Sequence, residues 1–144
     1  MNSFDIVREQ FKKDNFANKF RIVLDDLKEN EVKMHMILDS STLNLFSRPH
    51  GGAIYALADA AFSVIGNNSN ILSVALECSI SYHASPDPGQ NLYVEGKEVS
   101  GSNKIGTYLF TLYTLEGGKQ KLIATMKSTL YKTGKPIKEQ PKET

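Results

Sequence analysis

Apolar residues along this chain change their period several times, and each change predicts an element. Phe4, Val7 and Phe11 recur at helical spacing, which predicts a short helix capped by Ser3 and running to about Lys13. From Phe20 to Leu27 and from Val32 to Leu38 the period drops to two. Phe20, Ile22 and Leu24 alternate with more polar neighbours, as do Val32, Met34, Met36 and Leu38, so the two runs read as a hairpin turned at Lys28-Glu29-Asn30. His35 falls on the polar face beside Lys33 and reads as a solvated strand histidine. From Ala53 to Ile65 the residues are mostly small or apolar on every side, as in a buried helix that runs on to Gly66, with Asn67-Asn68 as its stop. A Ser/Thr/Asn-rich loop, 39–49, leads into it.

Alternation returns at Ile71–His83. Leu72, Val74, Leu76, Cys78, Ile80 and Tyr82 share one face, and the other is mostly small or polar, which predicts a half-buried antiparallel strand with its apolar side on the core. Three more strands follow at 91–100, 105–115 and 121–132, turned at Gly101-Ser102-Asn103 and Glu116-Gly117-Gly118. The expected class is α+β: an antiparallel sheet of five to six strands wrapped around one long central helix. Residues 1–18 read as a helical segment, 19–132 as the domain and 133–144 as a disordered tail. A helix apolar all round needs cover on its far side too, and a second subunit is the simplest source.

Composition narrows the picture. A length of 144 residues suits one domain with a real core, and a net charge of +1 gives no drive toward nucleic acid. Cys78 is the single cysteine, so no intrachain disulfide forms, which fits a reducing, cytoplasmic location. No signal peptide and no run long enough to span a bilayer is visible. No metal-ligand set stands out, and no cofactor is expected.

The chemistry concentrates at the central helix. Between Arg48 and Glu77 the only formally charged residue is Asp59, and a carboxylate in an apolar helix is costly unless compensated. Pro49 breaks any preceding helix, and Gly51-Gly52 leave the first helical amides open to a ligand. Those amides and the helix dipole favour negative charge, as an oxyanion hole requires. Gly52 and Asp59 share a face but lie roughly 10 Å apart along the axis. One carbonyl must sit about 3 Å from both its donors and its nucleophile or base. The two residues of one chain therefore cannot serve the same carbonyl, whereas two antiparallel copies of the helix could bring Gly52 of one near Asp59 of the other. If both residues are catalytic, the protein is at least a dimer.

The set resembles the hotdog-fold acyl-CoA thioesterases, in particular the phenylacetate-pathway type. The resemblance rests on His50-Gly51-Gly52, on Asp59 nine residues after the histidine, on Asn44 six before it, and on Cys78-Ser79-Ile80-Ser81-Tyr82 followed by a Pro/Gly-containing turn; it covers roughly residues 18 to 132. It implies a thioester hydrolase in which Asp59 acts as general base or nucleophile and the Gly52 amide, with Gly51, stabilises the oxyanion. Asn44 would position water or the carbonyl region, and His50 would hold the helix entrance or polarise the carbonyl. It also implies sites built from two subunits, in a homodimer or a tetramer of paired dimers. Two positions depart from the pattern: Ser47 stands where a glycine is common, and Ala75 stands where some relatives carry a supporting hydroxyl, with Ser73 two residues earlier on the same face.

Coenzyme A phosphates call for basic residues at the groove mouth. Arg48, Lys97, Lys104, Lys127 and Lys132 are the candidates, and Lys104 is preferred because its turn offers free amides as well as charge. Three other readings stand beside hydrolysis: a non-catalytic acyl-CoA-binding module, a dehydratase or hydratase pairing His50 with Asp59 across subunits, and an Asp59 that merely caps or pairs at an interface. Neither nucleic acid nor membrane is an expected partner.

Overall fold

The computed structural model describes residues 2–137, and its architecture follows the predicted order with local differences. Helix α1 spans Ser3–Phe11 and α2 Asn15–Lys19; strands β1 (Val23–Leu27) and β2 (Glu31–Ile37) form the hairpin. A 3-10 turn at Ser40–Thr42 precedes the central helix α3 (Gly51–Gly66). Then come β3 (Ile71–Tyr82), β4 (Asn91–Gly101), β5 (Ile105–Glu116) and β6 (Lys119–Pro136). The six strands make one antiparallel sheet in the order β1-β2-β4-β5-β6-β3, with α3 packed on its inner face. Leu57, Ala58 and Ala61 of the helix meet Met34, Met36, Leu92, Val94, Phe110, Leu112 and Met126 of the sheet in one continuous core. Phe62 sets its ring edge-on to Phe110, centroids 5.9 Å apart.

The N-terminal segment departs from expectation in two ways. The cap of α1 is Asn2, not Ser3: its Oδ1 accepts from the Asp5 amide (2.9 Å) while Asp5 reaches back to the Asn2 amide, a reciprocal capping box. The second helix, five residues capped by Asp14, is too short to leave a periodic signature in the sequence. Both helices pack on α3, so part of its far side is covered by Val7, Phe11 and Ala17 of the same chain rather than by a second subunit.

The largest correction concerns β3. Its residues were expected to turn one apolar face onto the core, but the strand lies at the sheet edge and carries a bulge between Ala75 and Glu77. Directly opposed residues of an antiparallel pair share a face. Cys78 and Ile80 oppose the buried Ser128 and Met126 and pack inward, whereas Val74 opposes Tyr131 on the outer face. One inserted residue flips every side chain beyond it. Leu72, Val74, Leu76 and Tyr82 are all more than two-fifths exposed.

At the other end of the sheet, His35 is not simply solvated: its Nδ1 lies 2.7 Å from Asp25 Oδ2, and its ring lies beside Tyr93. β6 continues through Pro136, so residues 133–136, read above as tail, are strand; 138–144 lie outside the described residues. No described helix is long and apolar enough to cross a membrane.

Ser47 takes φ +59°, the left-handed region in which a side chain costs about 1–2 kcal/mol and glycine costs nothing. A glycine there would serve the backbone, which gives the departure from the family pattern a physical meaning. Ser47→Gly is expected to raise the melting temperature by roughly 2–5 °C, measured by thermal denaturation.

Candidate active site

The entrance to α3 is built by the preceding loop. Asn44 Oδ1 accepts from the amides of Phe46 (2.8 Å) and Arg48 (3.1 Å), and the Asn44 amide donates to the Arg48 carbonyl (2.7 Å). Asn44 thus folds a tight turn that carries the chain to Pro49, and the His50 amide is anchored on the Thr42 carbonyl (2.7 Å). Arg48 spends its guanidinium on the loop after β3, donating to Ser85 Oγ, to the Pro86 carbonyl (2.7 Å) and to Asp87 Oδ1 (3.0 Å). It clamps two loops together, and those donors are engaged within the chain.

His50 caps the helix. The Gly52 amide donates to His50 Nδ1 (2.8 Å), which assigns the ring proton to Nε2 in the neutral tautomer. The ring comes so close that a Cβ on Gly52 would lie 2.9 Å from Nδ1, so the glycine is required by the cap. The Ala53 and Ile54 amides return to the His50 carbonyl. On the other side, the Tyr82 hydroxyl donates to the Gly51 carbonyl (2.9 Å), tying the helix start to the end of β3. Clefts of about 330 Å³ and about 320 Å³ flank this tip; the first is bordered by Gly51, Tyr82 and His83, the second by Phe16, Phe20, His50 and Gly52.

Two turns on, Asp59 is exposed in the single chain, with Gly52 and Ser63 on the same uncovered stripe. The alanine-rich face of α3 goes to the sheet, and the stripe carrying Asp59 points away, uncovered within the single chain. The carboxyl is nonetheless pushed above the usual Asp value, first by desolvation among its neighbours and then by the charge of Asp14 at the start of α2. One turn before it, Tyr55 is half-buried and hydrogen-bonded with Cys78, which with burial and the charge of Asp59 raises the phenol strongly. Cys78 in turn accepts from Ser128 Oγ (3.4 Å). Tyr55 thus links the Asp59 turn of α3 to Cys78 of β3. The Tyr82 contact has no sequence signal, because it joins residues 31 apart; Tyr55 is visible four residues before Asp59.

The remaining expected residues are spread out. Ser73 lies beside the C-terminal end of α3, where its amide donates to Asn67 Oδ1 (2.8 Å), and so stands about two turns past Asp59. Ser73 pairs with Lys132, whose amide donates to the Lys104 carbonyl, so Lys104 sits at that same end of the sheet, far from its own Gly52. Lys132 is bonded to the Ser102 carbonyl (3.0 Å). Lys97 and Lys127 flank Leu109 on the outer sheet face. Among the described residues, no three acidic, histidine or cysteine side chains converge as metal ligands would.

Comparison with known proteins places this geometry in a family. Residues 49–121, which begin at the helix entrance and take in α3, match the model of the thioesterase superfamily. A protein of Archaeoglobus fulgidus described as "Putative esterase" is 34% identical over 122 residues, 85% of this chain and 77% of the relative. The chain belongs to the thioesterase superfamily. As a member it is a thioester hydrolase, and its sheet around one helix is the hotdog fold. The PaaI protein of the phenylacetic acid degradation operon of E. coli superposes with a TM-score of 0.88 at 21% identity, covering 94% of this chain and 96% of that one. A hypothetical thioesterase from Streptococcus pneumoniae, solved with coenzyme A, superposes at 0.80 and 19% identity, covering 89% and 98%. These two likenesses are ones of fold.

Proposed function

We propose that this thioesterase hydrolyses acyl-coenzyme A in sites shared between two copies of the chain. The observation that carries the reading is the uncovered stripe of α3. It holds the lone acid Asp59 and the amide-bearing tip at Gly52, separated along one helix by too much for one carbonyl. Asp59 acts as general base toward water or as nucleophile on the thioester carbonyl. Gly52 of the partner subunit, with Gly51 beside it, receives the oxyanion. That amide is held by neutral His50 in the free chain, and an oxyanion is the stronger acceptor, since charge-assisted hydrogen bonds are roughly twice as strong as neutral ones. Asn44 and His50 keep the loop and cap in place for this exchange.

The free edge of β3 supports the pairing. It is twelve residues long, lies outermost, and exposes Leu72, Val74 and Leu76. A long apolar edge strand invites another strand. Two such edges joined by a two-fold axis would set the neighbouring helices antiparallel, and Lys104 of the partner subunit would then lie toward the helix tip, where coenzyme A phosphates need positive charge. The coenzyme A held by the pneumococcal neighbour supports that ligand class.

The test is thiol release from short, medium, long and aryl acyl-CoAs, with binding followed in parallel by calorimetry. Release above the spontaneous rate with at least one of them is expected. Saturable binding with no release would establish the non-catalytic acyl-CoA-binding module instead.

A further inference from the structure

A cavity of about 200 Å³ opens beside the second half of α3, bordered by α1, the start of β3 and Ile137 just past β6. Its apolar walls are Val7 and Phe11 of α1, Val64 of α3, Leu72 and Ile137. Gln10, Asp14, Ser63 and Asn67 supply its polar groups. Most of these are already engaged. Ser63 Oγ donates to the Ala60 carbonyl (2.9 Å). Asn67 donates to the Ser63 carbonyl (2.7 Å) and accepts from the Ser73 amide (2.8 Å). Asp14 Oδ1 accepts from the Ala17 amide (2.9 Å). A polar ligand group would find few free partners here, and a negative one would meet Asp14.

Position completes the case. Ser63 lies one turn past Asp59 on the same stripe, about 6 Å along the axis, and the charge of Asp14 reaches Asp59 itself. The cavity thus begins about one turn past Asp59, within reach of an acyl chain whose carbonyl is held there. Ligand sites for drug-sized molecules run to roughly 300–1,000 Å³, so this one has room for an acyl tail and none for the coenzyme.

We infer that this cavity is the acyl subsite, that it takes an uncharged apolar acyl group, and that Val7 and Phe11 of the N-terminal helix set its depth. The inference rests on the reading of Asp59 as the reacting acid. α1 is then a specificity element laid over the helix that does the chemistry, and Asp14 turns away acyl groups ending in a carboxylate.

The experiment measures kcat/KM for butyryl-, hexanoyl-, octanoyl- and glutaryl-CoA on the native protein and three variants. Phe11→Ala deepens the cavity and is expected to raise the octanoyl-to-butyryl ratio about tenfold, the scale on which pockets resolve a few methylenes. Gln10→Trp crowds the rim and is expected to lower the same ratio; it carries the test alone if Phe11→Ala does not fold. Asp14→Asn keeps a good helix cap and is expected to raise glutaryl- relative to hexanoyl-CoA turnover several-fold. Ratios that stay at native values in the folded variants would overturn the subsite while leaving Asp59 in place. A native protein that releases thiol from none of the four, nor from a long-chain or aryl acyl-CoA, would instead remove the Asp59 reading, and this inference with it.

Discussion

Asp59→Asn is expected to lower kcat at least a hundredfold and, at neutral pH, to melt at a higher temperature than the native protein. The first effect follows from chemistry. The amide keeps the shape of the side chain but neither accepts a proton from water nor attacks a carbonyl, and general-base contributions run to about 10²–10⁴. The second follows from the environment of the acid, whose carboxyl is raised above 3.8 by desolvation and by Asp14. Below 3.8 the group is protonated in both folded and unfolded chains and contributes no pH dependence. As pH rises, the unfolded chain gives up this proton first, so the folded state binds more protons than the unfolded and stability falls with pH through the window up to the raised native value. Above that window the deficit is constant. Asparagine removes it. Melting curves of both proteins between pH 3 and 8 should coincide in slope at the acid end and diverge above about pH 4. The acid limb of kcat/KM in the native enzyme should likewise lie above 3.8. A variant with native turnover would show that the acid takes no part in the reaction. A variant less stable than native at pH 7 would show that the carboxylate is compensated by groups absent from the single chain.

Such a conflict between stability and chemistry was partly legible in the sequence. One charge in the 28 residues between Arg48 and Glu77, placed in an Ala/Leu/Ile helix opened by two glycines, singles out Asp59 and the helix tip with no structure in hand. The central helix and six strands are legible for a related reason: each keeps one period over most of its length, and tertiary packing reinforces that period. The failures are local events that break a period. The bulge in β3 adds one residue and reverses the faces on either side of Leu76, so Cys78 and Ile80 face the core while Val74 does not. The edge position itself is not in the alternation, because a strand awaiting a partner and a strand covered by its own helix carry the same pattern. α2 is too short to have a period. Contacts that depend on long sequence separation were invisible too: Arg48 with 85–87, Tyr82 with Gly51, Asp14 near Asp59. The cap of α3 falls between these cases. The resemblance puts His50 at the helix entrance, but that its Nδ1 takes the Gly52 amide depends on a backbone angle, ψ 135° at His50, that no spacing reveals.

Mixing two inactive variants is expected to restore activity. Gly52→Val puts a branched side chain where even a Cβ would stand 2.9 Å from His50 Nδ1, so the cap and the amide behind it are lost as an oxyanion site. Removing one such donor costs about 10²–10³ in kcat, and Asp59→Asn alone costs at least as much. In a dimer with shared sites, each site takes its acid from one chain and its amide from the other. A hetero-dimer of the two variants then has one site with both defects and one with neither. Random pairing makes half of the dimers hetero-dimers, so about a quarter of all sites become intact and turnover should recover to about a quarter of native. If each chain used its own acid and its own amide, every site in every dimer would carry one defect and no activity would return. Co-expression with two different affinity tags, purification through both, and thiol release from the tandem-purified protein separate these cases, with about half of native activity expected once only hetero-dimers remain. The distance argument makes the second outcome chemically expensive: the acid and amide of one helix stand roughly 10 Å apart along its axis, and no rotamer of Asp59 closes that gap. A folded hetero-dimer that gave no recovery would overturn the site shared between two chains.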